Sequence, residues 1–441
     1  MAPSTFSWAL VLVLLVLACV LLQDPRKFSN HPVSNPPNLA TKQRSLWTEK
    51  LQLQWKPCAW WKDDPKDLPD LPSEPTGYIK VECMGGLNQM RRDLCDGVGI
   101  ARLLNASLLI PHFDAAMYWN DTSGFADIFD VDFFIRKTKG FVQVVKELPQ
   151  TLISAEPFYV NCRKQKTPFD YIEEVLPLLR KHRVIRMLPA ASQRSDRYTW
   201  FAKSVRCEAC YGAIRIVKHL EEQAKLMMKK LPRPFLTLHL RFEPDMIAYS
   251  QCAYPSLSKK SMEAVKAVCD GRNAFTGETE LSWRKRGKCL LTPGDVAFIL
   301  HALHIPKGMP IYIATGDELL EKESFTSVYT NTFTKSSLLD EQSLKMLKGN
   351  SKAAIDYYIA VNSDYYIATF FGNMEKMVLP MRVLRKNYFS LVLNKKEFGN
   401  AVLKGLNSSM LRDAMWQYHR KAFVTGRGLA LPDCFCEEKA L

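Results

Sequence analysis

The pattern of apolar and polar positions divides the chain into three unlike parts. Phe6 to Leu22 is an apolar run interrupted only by Ser7 and closed by Gln23, Asp24, Pro25 and Arg26. As a helix it reaches about 26 Å, enough for a single span of a thin secretory-pathway bilayer. Residues 23–75 show no periodicity and carry Pro25, Pro32, Pro36, Pro37, Pro57, Pro65, Pro69, Pro72 and Pro75, which predicts an extended stem. From Gly77 onward short apolar runs alternate with amphipathic stretches, the signature of an α/β fold. Tyr78–Glu82 and Ser107–Pro111 predict strands. Leu87, Met90, Leu94, Val98 and Ala101, three or four apart, predict a helix over Leu87–Leu104. A further strand and helix are expected near Phe141–Glu147 and Pro168–Arg183.

A second set of elements follows Pro232. It comprises strand Phe235–Arg241, helix Pro293–Leu303, strand Pro310–Thr315, helix Ser351–Ala360 and strand Asp364–Thr369. Two α/β lobes are therefore expected, over 76–225 and 226–441, joined through the long connection Arg206–Leu231. Such lobes bind ligands beyond the carboxyl ends of their strands, in a cleft between them.

The apolar run also sets the compartment. Its N-terminal flank, residues 1–5, carries no Lys or Arg, and no small-x-small cleavage site follows, so an anchor is favoured over a cleaved signal. Arg26 and Lys27 would by themselves place the following flank in the cytosol. Sequons at Asn105, Asn120 and Asn407 argue for a lumenal body, as a type II Golgi membrane protein would have. Of twelve cysteines, eleven follow the run; an oxidising lumen pairs most of them and leaves at least one thiol free. Zinc competes at Cys207-x-x-Cys210 and Cys434-x-Cys436, but no His pair or second Cys-x-x-Cys completes a four-ligand set. The net charge of +15 suits an anionic partner, and a lumenal body excludes nucleic acid. An acidic polysaccharide and the phosphates of a nucleotide sugar remain.

Three stretches carry candidate chemistry. Gly85-Gly86-Leu87-Asn88-Gln89-Met90-Arg91-Arg92-Asp93 runs from a strand end into a helix start, where close backbone approach and free N–H groups suit a diphosphate, although Gly-Gly before a helix is also an ordinary turn. His239-Leu240-Arg241-Phe242-Glu243-Pro244-Asp245 leaves a strand end; alternation puts His239, Arg241 and Glu243 on one face. The fixed fork of Arg241 suits charge that develops on a departing diphosphate, although an Arg–carboxylate bridge is the alternative. Asp356 to Asn373 passes from helix to strand to a Gly-Asn turn. Its Asp356, Ser363, Asp364 and Asn373 can recognise ribose and base, while Tyr357, Tyr358, Tyr365, Tyr366, Phe370 and Phe371 can stack on the base, although most of them read as core. Metal is not expected: the one Asp-x-Asp, Asp130-Val131-Asp132, lies among apolar residues with no clear strand end. The basic loop Ser282–Lys288 offers Trp283 for stacking on a sugar, with Arg284, Lys285, Arg286 and Lys288 for carboxylates, or is simply solvated.

Several long strings, among them GGLNQMRRDLCDGVGIARLLNA, SGFADIFDVDFF, LHLRFEPDMIAYSQC, WRKRGKC, FTSVYTNTFTK and GRGLALPDCFC, resemble the plant family related to protein O-fucosyltransferases. Within it they look most like the rhamnogalacturonan I rhamnosyltransferases. The resemblance covers about Gly77 to Cys436. It implies a GT-B fold of two Rossmann-like lobes facing a cleft, and inverting, metal-independent transfer of L-rhamnose. The implied donor is UDP-β-L-rhamnose, and the implied acceptor is galacturonic-acid-ended rhamnogalacturonan I, an acidic pectic oligosaccharide. The alternative keeps the fold and moves fucose from GDP-fucose to a protein or another wall glycan. A non-catalytic lectin or scaffold is opposed by the intact motif residues. The resemblance places the donor diphosphate on His239 and Arg241, with Arg241 catalytic. It places the donor-binding loop on Gly86, Asn88 and Gln89, the donor-binding Asp on Asp356, and Asn373 in the turn that follows. One departure stands out: the Glu that serves some members as base falls on Gly85. Asp93, Asp96, Glu243 and Asp245 are left as candidates.

Overall fold

A computed structural model describes residues 46–62, 68–113, 121–164, 169–189, 199–269 and 280–439. The predicted anchor Phe6–Leu22 and the sequon residue Asn120 lie outside these residues. No described helix is long and apolar enough to cross a membrane.

The described strands are β1 (Leu53–Pro57), β2 (Tyr78–Cys83), β3 (Ser107–Phe113), β4 (Val144–Val145), β5 (Phe158–Asn161), β6 (Val184–Leu188), β7 (Leu236–His239), β8 (Ile311–Ala314), β9 (Thr332–Phe333), β10 (Tyr365–Ala368), β11 (Ser390–Val392) and β12 (Phe435–Lys439). The helices used below are α1 (Leu87–Leu103), α2 (Val131–Thr138), α3 (Trp200–Glu208), α4 (Lys218–Lys229), α5 (Pro244–Ser250), α6 (Pro293–Ala302), α7 (Gly349–Asn362) and α8 (Asn373–Leu384).

Each apolar run becomes a strand for the reason its pattern gave. Along β2 Ile79, Val81 and Cys83 point into the core while Tyr78, Lys80 and Glu82 stay half-buried. Every residue of β7 and β8 is buried, as in a parallel strand covered on both faces. Two five-stranded sheets result, ordered β4-β3-β2-β6-β5 and β11-β10-β7-β8-β9. All their pairings are parallel. In the second sheet the chain runs outward from β7 through β8 to β9, then crosses to β10 on the other side of β7. The crevice where strand order reverses therefore opens beyond the carboxyl ends of β7 and β10. Two parallel α/β lobes are what the sequence pattern predicted.

The connection Arg206–Leu231 is more structured than a linker. It holds the end of α3, a single π-turn at Ala209–Ala213 and the whole of α4. Leu220, Ala224 and Met227 of α4 join a core that also contains Ile355 and Ile359 of α7, so packing is continuous from one lobe to the other.

Over its described residues, from 46 onward, the stem reading of 23–75 needs correction. Leu46 is fully buried in the core of the second lobe, Trp47 stacks on Tyr365 at 4.8 Å, and β1 pairs antiparallel with β12. The prolines of this stretch masked the apolar spacing of Leu46, Trp47, Leu51, Trp55 and Trp61, which folds it onto the body.

The zinc alternative is excluded by pairing. Cys207 joins Cys434, Cys210 joins Cys95, and Cys436 joins Cys58. A fourth bond links Cys252 and Cys289. Cys207–Cys434 bridges 227 residues and fastens the C-terminal tail to α3 of the first lobe. Cys83 and Cys162 are buried free thiols.

Candidate active site

β7 ends at His239, and the chain then turns through Leu240 and Arg241 into Glu243, the N-cap of α5. Thr369, one residue beyond β10, stitches this turn to its neighbour. Its N–H and Oγ1 both donate to the His239 carbonyl at 3.0 Å, and Oγ1 accepts from the Arg241 N–H at 3.2 Å. His239 and Arg241 are thus fixed at the strand-order reversal, where a ligand is expected.

The Arg241 guanidinium is three-quarters buried. Its Nε lies 3.3 Å from Glu243 Oε2 and its Nη2 lies 3.8 Å from Asp245 Oδ2. The Arg–carboxylate bridge considered from the sequence is therefore present, and it aims the guanidinium rather than occupying all of it. Glu243 is itself anchored, since Oε1 accepts from the Gly316 N–H at 3.0 Å and the Thr315 hydroxyl at 3.3 Å.

His239 Nδ1 contacts Glu375 Oε1, and Glu375 also accepts from the Tyr366 hydroxyl at 2.9 Å and the Gly372 N–H at 2.8 Å. Burial alone would raise the Glu375 carboxyl. The His239 charge and hydrogen bond, with the Gly372 N–H, outweigh it and hold the group below the usual carboxylate range. Burial, then the neighbouring Glu375 charge, pushes the Tyr366 phenol far up, so it stays a donor.

The glycine loop meets this group across the lobes. Gly86 caps α1, and Arg92, one turn in, donates from Nη1 to Asn373 Oδ1 at 2.9 Å. Asn373 is the first residue of α8 rather than part of a free turn, so its amide oxygen ties the lobes together. Asn88 and Gln89 are half-buried at the start of α1. Burial first, then the Arg92 charge, lowers the Lys376 ammonium. Cations accumulate where the N–H groups of α1 and α8 also open, an arrangement suited to phosphate.

Gly85 has φ +89°, and a Cβ there would come within 2.6 Å of Gln89 Oε1. Both features oppose a side chain. Gly85→Glu, which puts back the acid that some related enzymes carry, is expected to lower stability by about 1 kcal/mol or more without raising turnover. Thermal unfolding and a transfer assay check the two halves of that expectation.

Asp356 sits in a buried ion pair. Its Oδ1 accepts from the Tyr312 hydroxyl at 2.6 Å and its Oδ2 from Lys335 Nζ at 2.6 Å, all three residues being buried. Lys335 also donates to the Thr315 carbonyl at 2.8 Å. Asp356 therefore braces the turn after β8, which in turn holds Glu243 and Arg241. Its position on the buried face of α7 could not be told from the helical pattern, because its partners lie on β8 and a distant short helix.

Other expectations resolve similarly. Asp130 caps α2 through the Phe133 N–H at 2.8 Å, while Asp132 pairs with Lys146 on the surface at 2.9 Å, so the Asp-x-Asp does not converge. Trp283 is buried against the Phe242–Tyr254 cluster and is not a sugar platform. Of the aromatics, Tyr357 and Tyr366 are core, whereas Phe370 and Phe371 are partly buried, Phe370 against the Phe242–Tyr254 cluster under Lys395 and Phe371 against the cluster of Trp61 and Phe435. Asn105 and Asn407 are exposed; Asn407 Oδ1 also caps a helix through the Met410 N–H at 3.0 Å. Sequence reasoning missed Lys335 and Glu375, and gave Arg92, within the first stretch, no role of its own. Only Glu375 had a local signal, the Gly-x-x-Glu spacing of a helix start.

The pattern described as GDP-fucose protein O-fucosyltransferase matches residues 78–385. O-fucosyltransferase 13 of Arabidopsis thaliana is 51% identical over 433 residues, covering 98% of this chain and 96% of that protein. Rhamnogalacturonan I rhamnosyltransferase 1 of Arabidopsis thaliana is a more distant relative, 33% identical over 320 residues. That alignment covers 68% of this chain and 62% of the relative, so the chain spans under two thirds of that protein. A crystal structure of POFUT1 in complex with GDP aligns with TM-score 0.43 and 14% identity, over 73% of this chain and 99% of that one.

Proposed function

The chain belongs to the GDP-fucose protein O-fucosyltransferase family, and on that premise we propose that it transfers fucose from GDP-fucose, inverting the anomeric carbon without a metal ion. The observation that carries this reading is the fixed pair His239 and Arg241 at the strand-order reversal, facing the N-termini of α1 and α8. In the displacement an acceptor oxygen bonds to the anomeric carbon as the bond to the diphosphate breaks, and the electron pair leaves on a phosphate oxygen. Arg241 stabilises that charge, and the helix N-termini hold the remaining phosphate oxygens. The acceptor proton needs a base. Asp93 already accepts from Arg163 at 2.7 Å, Asp96 faces Arg206 at 3.7 Å, and Glu243 is held by Gly316 and Thr315. Asp245, 3.8 Å from Arg241 Nη2 and 45% exposed, is the most accessible of the four carboxylates and the one assigned the proton. The work is done in the Golgi lumen, on a body tethered by Phe6–Leu22 and glycosylated at Asn105, Asn120 and Asn407.

A second reading replaces the donor with UDP-rhamnose and the acceptor with an acidic pectic oligosaccharide. It is favoured by the 33% identical relative named as a rhamnosyltransferase and by the net charge of +15. Purified lumenal protein given GDP-fucose or UDP-rhamnose, each with protein and galacturonic-acid-ended acceptors, separates the two. Transfer from GDP-fucose, unchanged by a chelator, is the expected result. Transfer from UDP-rhamnose alone would replace the first reading with the second, and loss of activity on chelation would refute metal independence.

A further inference from the structure

We propose that Glu375 is a positioning residue for donor binding, orienting His239 so that Nε2, and not Nδ1, meets the donor diphosphate. The inference rests on the reading that the diphosphate lies at His239 and Arg241.

Glu375 is completely buried, and a carboxylate in such a place is unfavourable unless its oxygens are satisfied. Here they are satisfied from three sides. The Tyr366 hydroxyl reaches Oε1 from β10, the Gly372 N–H reaches Oε2 from its own helix start, and His239 Nδ1 reaches Oε1 from β7. Tyr366 and Gly372 are enough to cap the helix and close the core, so the contact with a histidine 136 residues away needs another purpose. A ring nitrogen held by a carboxylate fixes both the rotation of the imidazole and the position of its proton. With Nδ1 so held, Nε2 is the only ring nitrogen left to donate. The backbone of His239 is pinned separately by Thr369, so the side chain is the one degree of freedom that Glu375 controls. Charged groups near this cluster include Asp356, which is engaged by Lys335 and Tyr312, and Arg382, whose guanidinium lies over the Tyr366 ring at 5.7 Å and is bonded to backbone carbonyls of 360 and 363. Neither competes for His239.

The test measures affinity for GDP and GMP by calorimetry, with UDP and UMP in parallel, and transfer kinetics, for folded variants. Glu375→Gln is expected to weaken GDP or UDP binding about 10- to 100-fold, the range for losing an outer partner of a functional imidazole. Binding of the monophosphates should change less than twofold. In a double-mutant cycle His239→Ala with Glu375→Gln should be no worse than His239→Ala alone, because the two act as one unit. Should Glu375→Gln fail to fold, two variants of His239 decide the matter. His239→Gln carries an amide toward the place of Nε2, and His239→Asn toward that of Nδ1, so the Gln variant is expected to retain more diphosphate affinity. Equal loss of mono- and diphosphate binding, full additivity in the cycle, or better retention by His239→Asn would each overturn the proposal. Arg241→Ala is the control for the premise: if it leaves the preference for GDP over GMP intact, the diphosphate lies elsewhere and the underlying reading falls first.

Discussion

Replacing Arg241 with Ala is expected to lower the transfer rate about 100- to 1,000-fold, the loss that follows removal of one preorganised donor from a developing oxyanion. The effect should appear mainly in kcat, since the guanidinium is matched to charge that grows as the diphosphate departs. Arg241 is held from one side by Glu243 and Asp245, leaving its other edge toward the crevice, so the electrostatic field is set before the donor arrives. The same substitution strips Glu243 Oε2 of its partner, although Gly316 and Thr315 still satisfy the other oxygen. Thermal unfolding must therefore accompany the kinetics. Arg241→Lys keeps the charge but loses the planar fork and should recover only part of the rate. A variant at position 241 that folds normally and transfers at the parental rate would remove Arg241 from the chemistry.

The parts of the site that could be read from sequence are those whose signals are local. Gly85-Gly86 before the amphipathic run of α1, and His239 to Asp245 at the end of an apolar run, both follow from a strand terminating and exposing polar groups. The second motif stands out because β7 buries its whole length, so polar side chains collect where the strand stops, whereas β2 alternates and ends in the glycine turn. Partnerships across the sheet carry no such signal. Arg92 meets Asn373 over 281 residues and Glu375 meets His239 over 136, and nothing in the spacing of either stretch points to the other. The prolines between residues 46 and 75 misled for a related reason. Composition describes the backbone a segment prefers in isolation, whereas Leu46 and Trp47 are ordered by an apolar surface that the second lobe supplies.

Asp356 shows the same limit with the largest structural consequence. Asp356→Ala is expected to destabilise the protein by about 3–5 kcal/mol, the loss on removing one partner of a buried ion pair. Lys335 would keep only the Thr315 carbonyl, and the Tyr312 hydroxyl would lose its acceptor inside the core. For a chain of this size that corresponds to a fall in Tm of about 3–5 °C. Removing both charges should be milder than removing one, so Asp356→Leu combined with Lys335→Met is expected to recover much of the lost stability. Transfer by the double variant should still fall, because the turn Thr315–Gly316 that holds Glu243, and through it Arg241, loses the Lys335 ammonium from its carbonyl. A direct donor contact makes the opposite forecast. It requires Asp356→Asn, which retains the hydrogen-bonding shape, to raise the donor KM sharply while Tm stays put. Calorimetric unfolding of the four proteins, with donor saturation curves for each, distinguishes a carboxylate that braces the site from one that binds within it.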